Sequence, residues 1–128
     1  MNSPRCGNKD IDIEGDSGEK RRYRRYTVQG STWKKAHVTW TVSKFSKRPN
    51  LRNKQKQIIR VFDRAFSYWA AVSNLKFSYV KSNADIDIRF ETFDHRDGSP
   101  FDGENGTLAH AFFPNFGGDC HIDDSEPW

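Results

Sequence analysis

The chain has 128 residues, 34% of them hydrophobic, and a formal net charge of +4. That length fits one domain burying roughly two thirds of its unfolded surface. No apolar run approaches the roughly 18 residues of a membrane-spanning helix, and no apolar stretch follows Met1-Asn-Ser-Pro-Arg5 to make a signal peptide.

The small net charge hides a division. Residues 1–84 carry 19 Lys/Arg against 6 Asp/Glu, whereas residues 85–128 carry 2 against 11. The basic part admits a nucleic acid or a polyanion such as heparin as partner. The acidic part repels itself unless divalent cations neutralise it. Two cysteines, Cys6 and Cys120, are too few for a disulfide framework and cannot form C-x-x-C zinc knuckles.

In chain order, residues 1–25 lack apolar periodicity and read as an extended or disordered segment. Within it, Pro4-Arg5-Cys6-Gly7-Asn8-Lys9-Asp10 is either a polar loop with an incidental thiol or a thiol presented as a metal ligand, Arg5 favouring the thiolate. The basic run Arg21-Arg22-Tyr23-Arg24-Arg25 follows. Residues 36–42 alternate, with Val38, Trp40 and Val42 on one face of a strand and His37 on the other. Lys47-Arg48-Pro49-Asn50 is a turn, with Asn50 expected to cap a helix running from Leu51 to about Val72. Ile58, Phe62, Ala65, Phe66 and Trp69 form its core stripe; Lys54, Lys56, Arg60 and Arg64 take its outer face. Residues 75–80, 85–90 and 107–113 read as further strands, with Ile86, Ile88 and Phe90 inward and Asp85 and Asp87 outward in the second.

The stretch 95–126 concentrates chemistry. It holds His95, His110 and His121, with Asp97 two residues after the first, a donor set that suits a closed four-coordinate zinc site. Asp102, Asp119, Asp123, Asp124 and Glu126 stand among glycines that leave backbone carbonyls accessible, which is the chemistry of calcium. A loop so rich in glycine and acids cannot bury enough apolar surface to order itself, and coordination supplies what the core does not.

Pro4-Arg5-Cys6-Gly7-x-x-Asp10 resembles the cysteine switch of matrix metalloproteinase propeptides, whose thiolate caps the catalytic zinc until activation. Arg22-x-Arg24-Arg25 resembles a furin-type convertase site, and Tyr26-Thr-Val-Gln-Gly-Ser-Thr-Trp33 resembles the start of a mature catalytic domain. The likeness runs from Pro4 to Trp128. It implies a propeptide remnant over 1–25 and the N-terminal part of a metallopeptidase catalytic domain over 26–128. The implied fold is α+β and metzincin-like: a mixed twisted sheet of about five strands with one long amphipathic helix.

The resemblance also implies ligand sets. His95, Asp97, His110 and His121 match the structural zinc ligands. Asp102, the carbonyls of Gly103, Asn105 and Thr107, and the carboxylates of Asp123 and Glu126 match one calcium site. Asp85, the Gly117 carbonyl and Asp119 match a second. Asp124 belongs to a third, although Asn50 stands near where the family places an Asp. The segment Pro114–Gly118 is shorter than the family's, and Cys120 stands where a small residue is common. Cys120 is a buried small residue, a disulfide partner of Cys6 or a substitute zinc ligand.

The family's reaction needs a His-Glu-x-x-His-x-x-Gly-x-x-His helix, which holds the catalytic zinc and supplies the general base. No His-Glu-x-x-His occurs in the 128 residues. The resemblance therefore implies a parent protein that is a secreted zinc endopeptidase acting on extracellular matrix proteins, and a chain that is inactive alone. Two other readings compete: a basic module whose 19–64 region binds heparin or nucleic acid, and a short non-catalytic regulator acting through its switch peptide. The inward aromatics of the predicted strands and helix count against the first.

Overall fold

The computed structural model describes residues 30–128. Cys6, the basic residues Arg22, Arg24 and Arg25, and the boundary between residues 25 and 26 lie outside the described residues.

Five strands form one mixed sheet: β1 (His37–Lys44), β2 (Lys76–Tyr79), β3 (Ile86–Glu91), β4 (Ala109–Ala111) and β5 (Cys120–Asp123). Their order is β2-β1-β3-β5-β4. All neighbours are parallel except β4 and β5, so β4 is an antiparallel edge strand. Helix α1 (Gln55–Ala71) is the crossover from β1 to its parallel neighbour β2. This is the expected α+β fold of a sheet with one long helix.

The two faces of the sheet have different tasks, and strand alternation divides them. Val38 and Trp40 are fully buried, and Trp40, Val42, Ile58, Ile88, Phe90 and Ile122 make one apolar cluster beneath α1. Phe66 of α1 meets Trp40 at a centroid distance of 5.1 Å and stacks on Phe77 at 4.8 Å, while Phe62 reaches Phe90 at 6.5 Å. On β5, Cys120 and Ile122 join this apolar side, which sends His121 and Asp123 to the opposite face.

Several boundaries and one packing assignment differ from the sequence reading. The helix begins at Gln55, not Leu51, because residues 48–54 close into successive turns through Leu51 N–Arg48 O and Lys54 N–Leu51 O bonds of 3.0 and 2.8 Å. Asn50 caps nothing; its Nδ2 donates to the Trp128 carbonyl at 3.1 Å. Trp69 and Ala65 are exposed. The apolar residues of α1 spread over an arc of about 200° at 100° per residue, and the sheet covers only the side carrying Ile58, Phe62 and Phe66. Val61, Tyr68 and Val72 face outward on the remainder, whereas Trp69 lies in line with Ile58 and Phe62 but is exposed in the last turn of the helix. The strand expected over 107–113 shortens to Ala109–Ala111. Its successor β5, which the sequence reading left as loop, pairs with both β3 and β4.

Candidate metal centre

The pairing of β4 with β5 sets His110 directly opposite His121. The other two donors, His95 and Asp97, come from the loop that leaves β3. That loop turns sharply, with left-handed backbone at Phe93, Arg96 and Gly98. Two aspartate side chains brace it: Asp94 accepts from the Arg96 N–H at 3.0 Å, and Asp97 Oδ1 accepts from the Ser99 N–H at 2.9 Å. Asp97 therefore keeps its second oxygen for the cluster.

Four ligand atoms converge there. Asp97 Oδ2 lies 2.8 Å from His95 Nε2 and 2.7 Å from both His110 Nε2 and His121 Nδ1. The three ring nitrogens lie 3.0–3.4 Å from one another. Donors about 2.0–2.1 Å from a tetrahedral zinc are separated by about 3.3 Å. The ring nitrogens come close to this spacing, and Asp97 Oδ2 sits tighter, at hydrogen-bond distance from all three. Protons cannot satisfy the whole set. Neutral rings can relieve one such contact through an N–H···N bond but not every contact of the cluster at once, and a central cation relieves them all. His95 Nδ1 bonds the Phe93 carbonyl at 2.8 Å, which fixes the tautomer that leaves Nε2 as a ligand.

The surroundings exclude water. The imidazoles are 2–5% exposed. Phe101 stacks on His95 at 4.8 Å, and Phe112 sets its edge against His110 and His121. Burial pushes the Asp97 carboxyl up, but bonds from Ser99, His110 and His121 and the His95 charge outweigh it and hold the group well below the usual carboxylate range. Burial lowers His121, which favours the neutral, ligating form. Among the described residues no other group of three or more His, Cys, Asp or Glu donors converges in this way.

Cys120 is not among the donors. It sits on the helix side of β5 against the apolar cluster, one residue out of phase with His121. Burial and then the Asp119 charge push its thiol up to about 11. The buried-residue reading fits this position; the Cys6 pairing involves a residue outside the described ones.

The acidic residues are gathered less tightly. Asp123 is fully buried, Asp124 is 8% exposed and Glu126 is 2% exposed. Asp123 Oδ1 accepts from the Ser125 N–H at 2.8 Å, and Asp124 Oδ2 accepts from the Lys47 N–H at 2.9 Å. Their second oxygens, Asp123 Oδ2 and Asp124 Oδ1, are buried without a donor among the described residues. Buried carboxylate oxygens are costly unless a donor or cation meets them. This donor set fits a hard cation. The Asp123 N–H bonds the Leu108 carbonyl at 2.9 Å, which ties this acidic turn to the loop containing Gly103, Asn105 and Thr107. In that loop Asp102 Oδ1 accepts from the Thr107 N–H at 2.8 Å, and Gly103 and Asn105 are left-handed. A side chain at Gly106 would collide with the Asp102 carboxylate.

Asp85 and Asp119 already have partners. Asp85 binds Thr39 N and Oγ1 at 2.7 and 2.8 Å and Lys35 at 2.6 Å. Asp119 accepts from Arg89 at 3.0 Å. Gly117, left-handed at φ 104°, closes the 3-10 turn Pro114–Phe116 before Asp119. Lys35 and the two phenylalanines around the His–Asp cluster carry roles that the sequence pattern does not assign. Phe101 and Phe112 carried a signal, being large apolar residues within or beside a polar loop.

Comparison with known proteins agrees with this geometry. The matrixin family model matches residues 32–128. Over its whole length the chain is 44% identical to matrix metalloproteinase-25 of Mus musculus, covering 21% of that protein. It is 38% identical to matrix metalloproteinase-16 of Mus musculus, covering 22%, and 38% identical to the interstitial collagenase of Sus scrofa, covering 25%. The chain thus spans about a fifth to a quarter of the length of the curated relatives it matches. It belongs to the matrixin family, the peptidase family of the matrix metalloproteinases.

Proposed function

We propose that this chain is the zinc- and calcium-binding part of a secreted matrix metalloproteinase zymogen, whose parent is a zinc endopeptidase acting on extracellular matrix proteins. The convergence of His95, Asp97, His110 and His121 supports this reading most strongly. Three imidazoles near tetrahedral spacing and one carboxylate oxygen suit zinc, and four protein donors leave no position for a reactive water. Zinc here is structural. It ties the loop after β3 to the β4–β5 pair and so fixes the edge strand β4. An extended substrate adds to such an edge through backbone hydrogen bonds.

Calcium fills the remaining roles. One ion is assigned to Asp102, the carbonyls of Gly103, Asn105 and Thr107, and the carboxylates of Asp123 and Glu126. A second is assigned to Asp85, the Gly117 carbonyl and Asp119, where it must displace Lys35 and Arg89 from the two carboxylates. Asp124 serves a third. Cys6 is the inhibitory ligand of the parent's catalytic zinc, and a furin-type convertase cleaving after Arg25 removes it.

The chain has no His-Glu-x-x-His, so it supplies neither the catalytic ligands nor the general base. Loaded with zinc and calcium, it should hydrolyse no collagen-derived peptide above background while unfolding at a higher temperature than the chelated protein. Zinc-dependent turnover by the chain alone contradicts the structural role given to the cluster.

A further inference from the structure

The outer face of α1 carries a ridge of cations. Lys56, Arg60 and Arg64 stand at successive four-residue steps, and Arg52 and Lys54 continue the ridge into the preceding turn. All five are exposed. Arg52, Lys54, Lys56 and Arg60 line a shallow groove of about 590 Å³ whose other walls, Asn53, Gln55 and Gln57, are polar and neutral.

Two features set this ridge apart from an ordinary solvated face. Its charges lack acidic partners. Lys35, Lys44 and Arg89 each pair with a carboxylate, whereas none of the five ridge cations comes within ion-pair distance of an acid among the described residues. Asp63, the one acid of α1, is no exception. The arrangement also works against helix stability. Like charges at i and i+4 repel, and cations in the first turn oppose the helix dipole, with no acid there to offset them. Arg64 is moreover held in place: its Nε donates to Tyr68 Oη at 3.0 Å and its guanidinium lies 5.9 Å from the Tyr68 ring centre.

We propose that this ridge binds a linear sulfated polysaccharide. A row of exposed lysines and arginine forks along one helix matches a chain of sulfate groups in sign and repetition. No aromatic side chain lines the groove for nucleobases to stack on, which disfavours a single-stranded nucleic acid. The site is independent of the metal cluster, which lies across the sheet from α1.

The test is binding of a size-defined heparin oligosaccharide to the full 128-residue chain, measured by calorimetry over a range of salt. The double variant Lys56→Glu/Arg60→Glu should weaken binding about tenfold or more and flatten its salt dependence. Its thermal midpoint should stay level or rise, since acids suit the first turns of a helix. Lys56→Gln/Arg60→Gln should lose affinity in the same direction. Lys76→Glu, exposed on β2, should change little. Three results overturn the proposal: undiminished binding by both double variants, loss only when Arg21, Arg22, Arg24 and Arg25 are replaced by alanine, or equally tight binding of an oligonucleotide of the same charge.

Discussion

His110 and His121 face each other as a directly opposed pair on β4 and β5, with His110 Nε2 3.0 Å from His121 Nδ1. The contact is between the two nitrogens that point into the cluster, where a cation would meet both lone pairs. Replacing Asp97 or His110 by alanine should abolish the zinc-dependent rise in thermal stability, a loss of about 4 kcal/mol when zinc is supplied a thousandfold above its Kd. Differential scanning calorimetry with and without zinc checks this. A variant that keeps the full zinc response removes its residue from the shell.

The buried acids give a calcium prediction. Asp123 Oδ2 lies in the interior without a donor among the described residues. Calcium should therefore raise the thermal midpoint of the zinc-loaded chain, and Asp123→Ala should erase that rise. Asp123→Asn, which keeps the shape and removes the charge, should weaken calcium binding while costing less stability in its absence. Calcium titrations of the three proteins measure the difference. Equal calcium responses in all three would remove Asp123 from any calcium site.

Asp85 sets an acid limit. Burial pushes its carboxyl up, but Lys35 and the Thr39 backbone and hydroxyl outweigh burial and hold it down to about 2, against 3.8 unperturbed. A depressed folded value stabilises the protein above pH 3.8, and the contribution disappears as pH falls toward 2. Without calcium, Asp85→Asn should lower stability at pH 6 by roughly 1 kcal/mol, the half-exposed Lys35 pair being screened by solvent, and the two stability curves should converge as pH falls to 2 and below. Urea unfolding at a series of pH values tests the sign as well as the size. A constant gap at all pH values would show that the carboxylate charge is irrelevant.

Trp40 and Trp69 should behave differently although the sequence places both in apolar stripes. Trp40 is fully buried under α1, and Trp40→Ala should cost about 3–5 kcal/mol. Trp69 is 67% exposed, and Trp69→Ala should cost under about 1 kcal/mol. Denaturant unfolding compares them. Equal losses would place Trp69 in a packed environment.

These two tryptophans mark where sequence reading succeeds and stops. The strand period exposed the inward set Val38, Trp40, Val42, Ile86, Ile88 and Phe90 because alternation depends on local backbone geometry. Helical periodicity found α1 and set Trp69 in line with Ile58 and Phe62. It could not tell how far along the helix the packing extends, since that depends on nonlocal docking, and Trp69 in the last turn is left exposed. Strand β5 was hidden because it is only four residues long among glycines and acids: Cys120 and Ile122 alternate with His121 and Asp123 in the usual way, but over too short a stretch to stand out.

The metal cluster was legible by composition and resemblance, since three histidines and Asp97 stand within a short, glycine-rich stretch. Its closure was not. Only the antiparallel pairing of His110 with His121 and the Asx bends at Asp94 and Asp97 bring the four atoms together, and none of these leaves a periodic trace. The calcium assignments gained less from the fold, because Asp85 and Asp119 hold cations of the chain itself.

The most direct measurement is metal content followed by zinc X-ray absorption on the purified 128-residue chain. The predicted result is one tightly held zinc with three nitrogens and one oxygen at about 2.0–2.1 Å. Zinc lost on simple desalting, or a sulfur neighbour at about 2.3 Å from Cys6 or Cys120, would contradict a closed His95–Asp97–His110–His121 site.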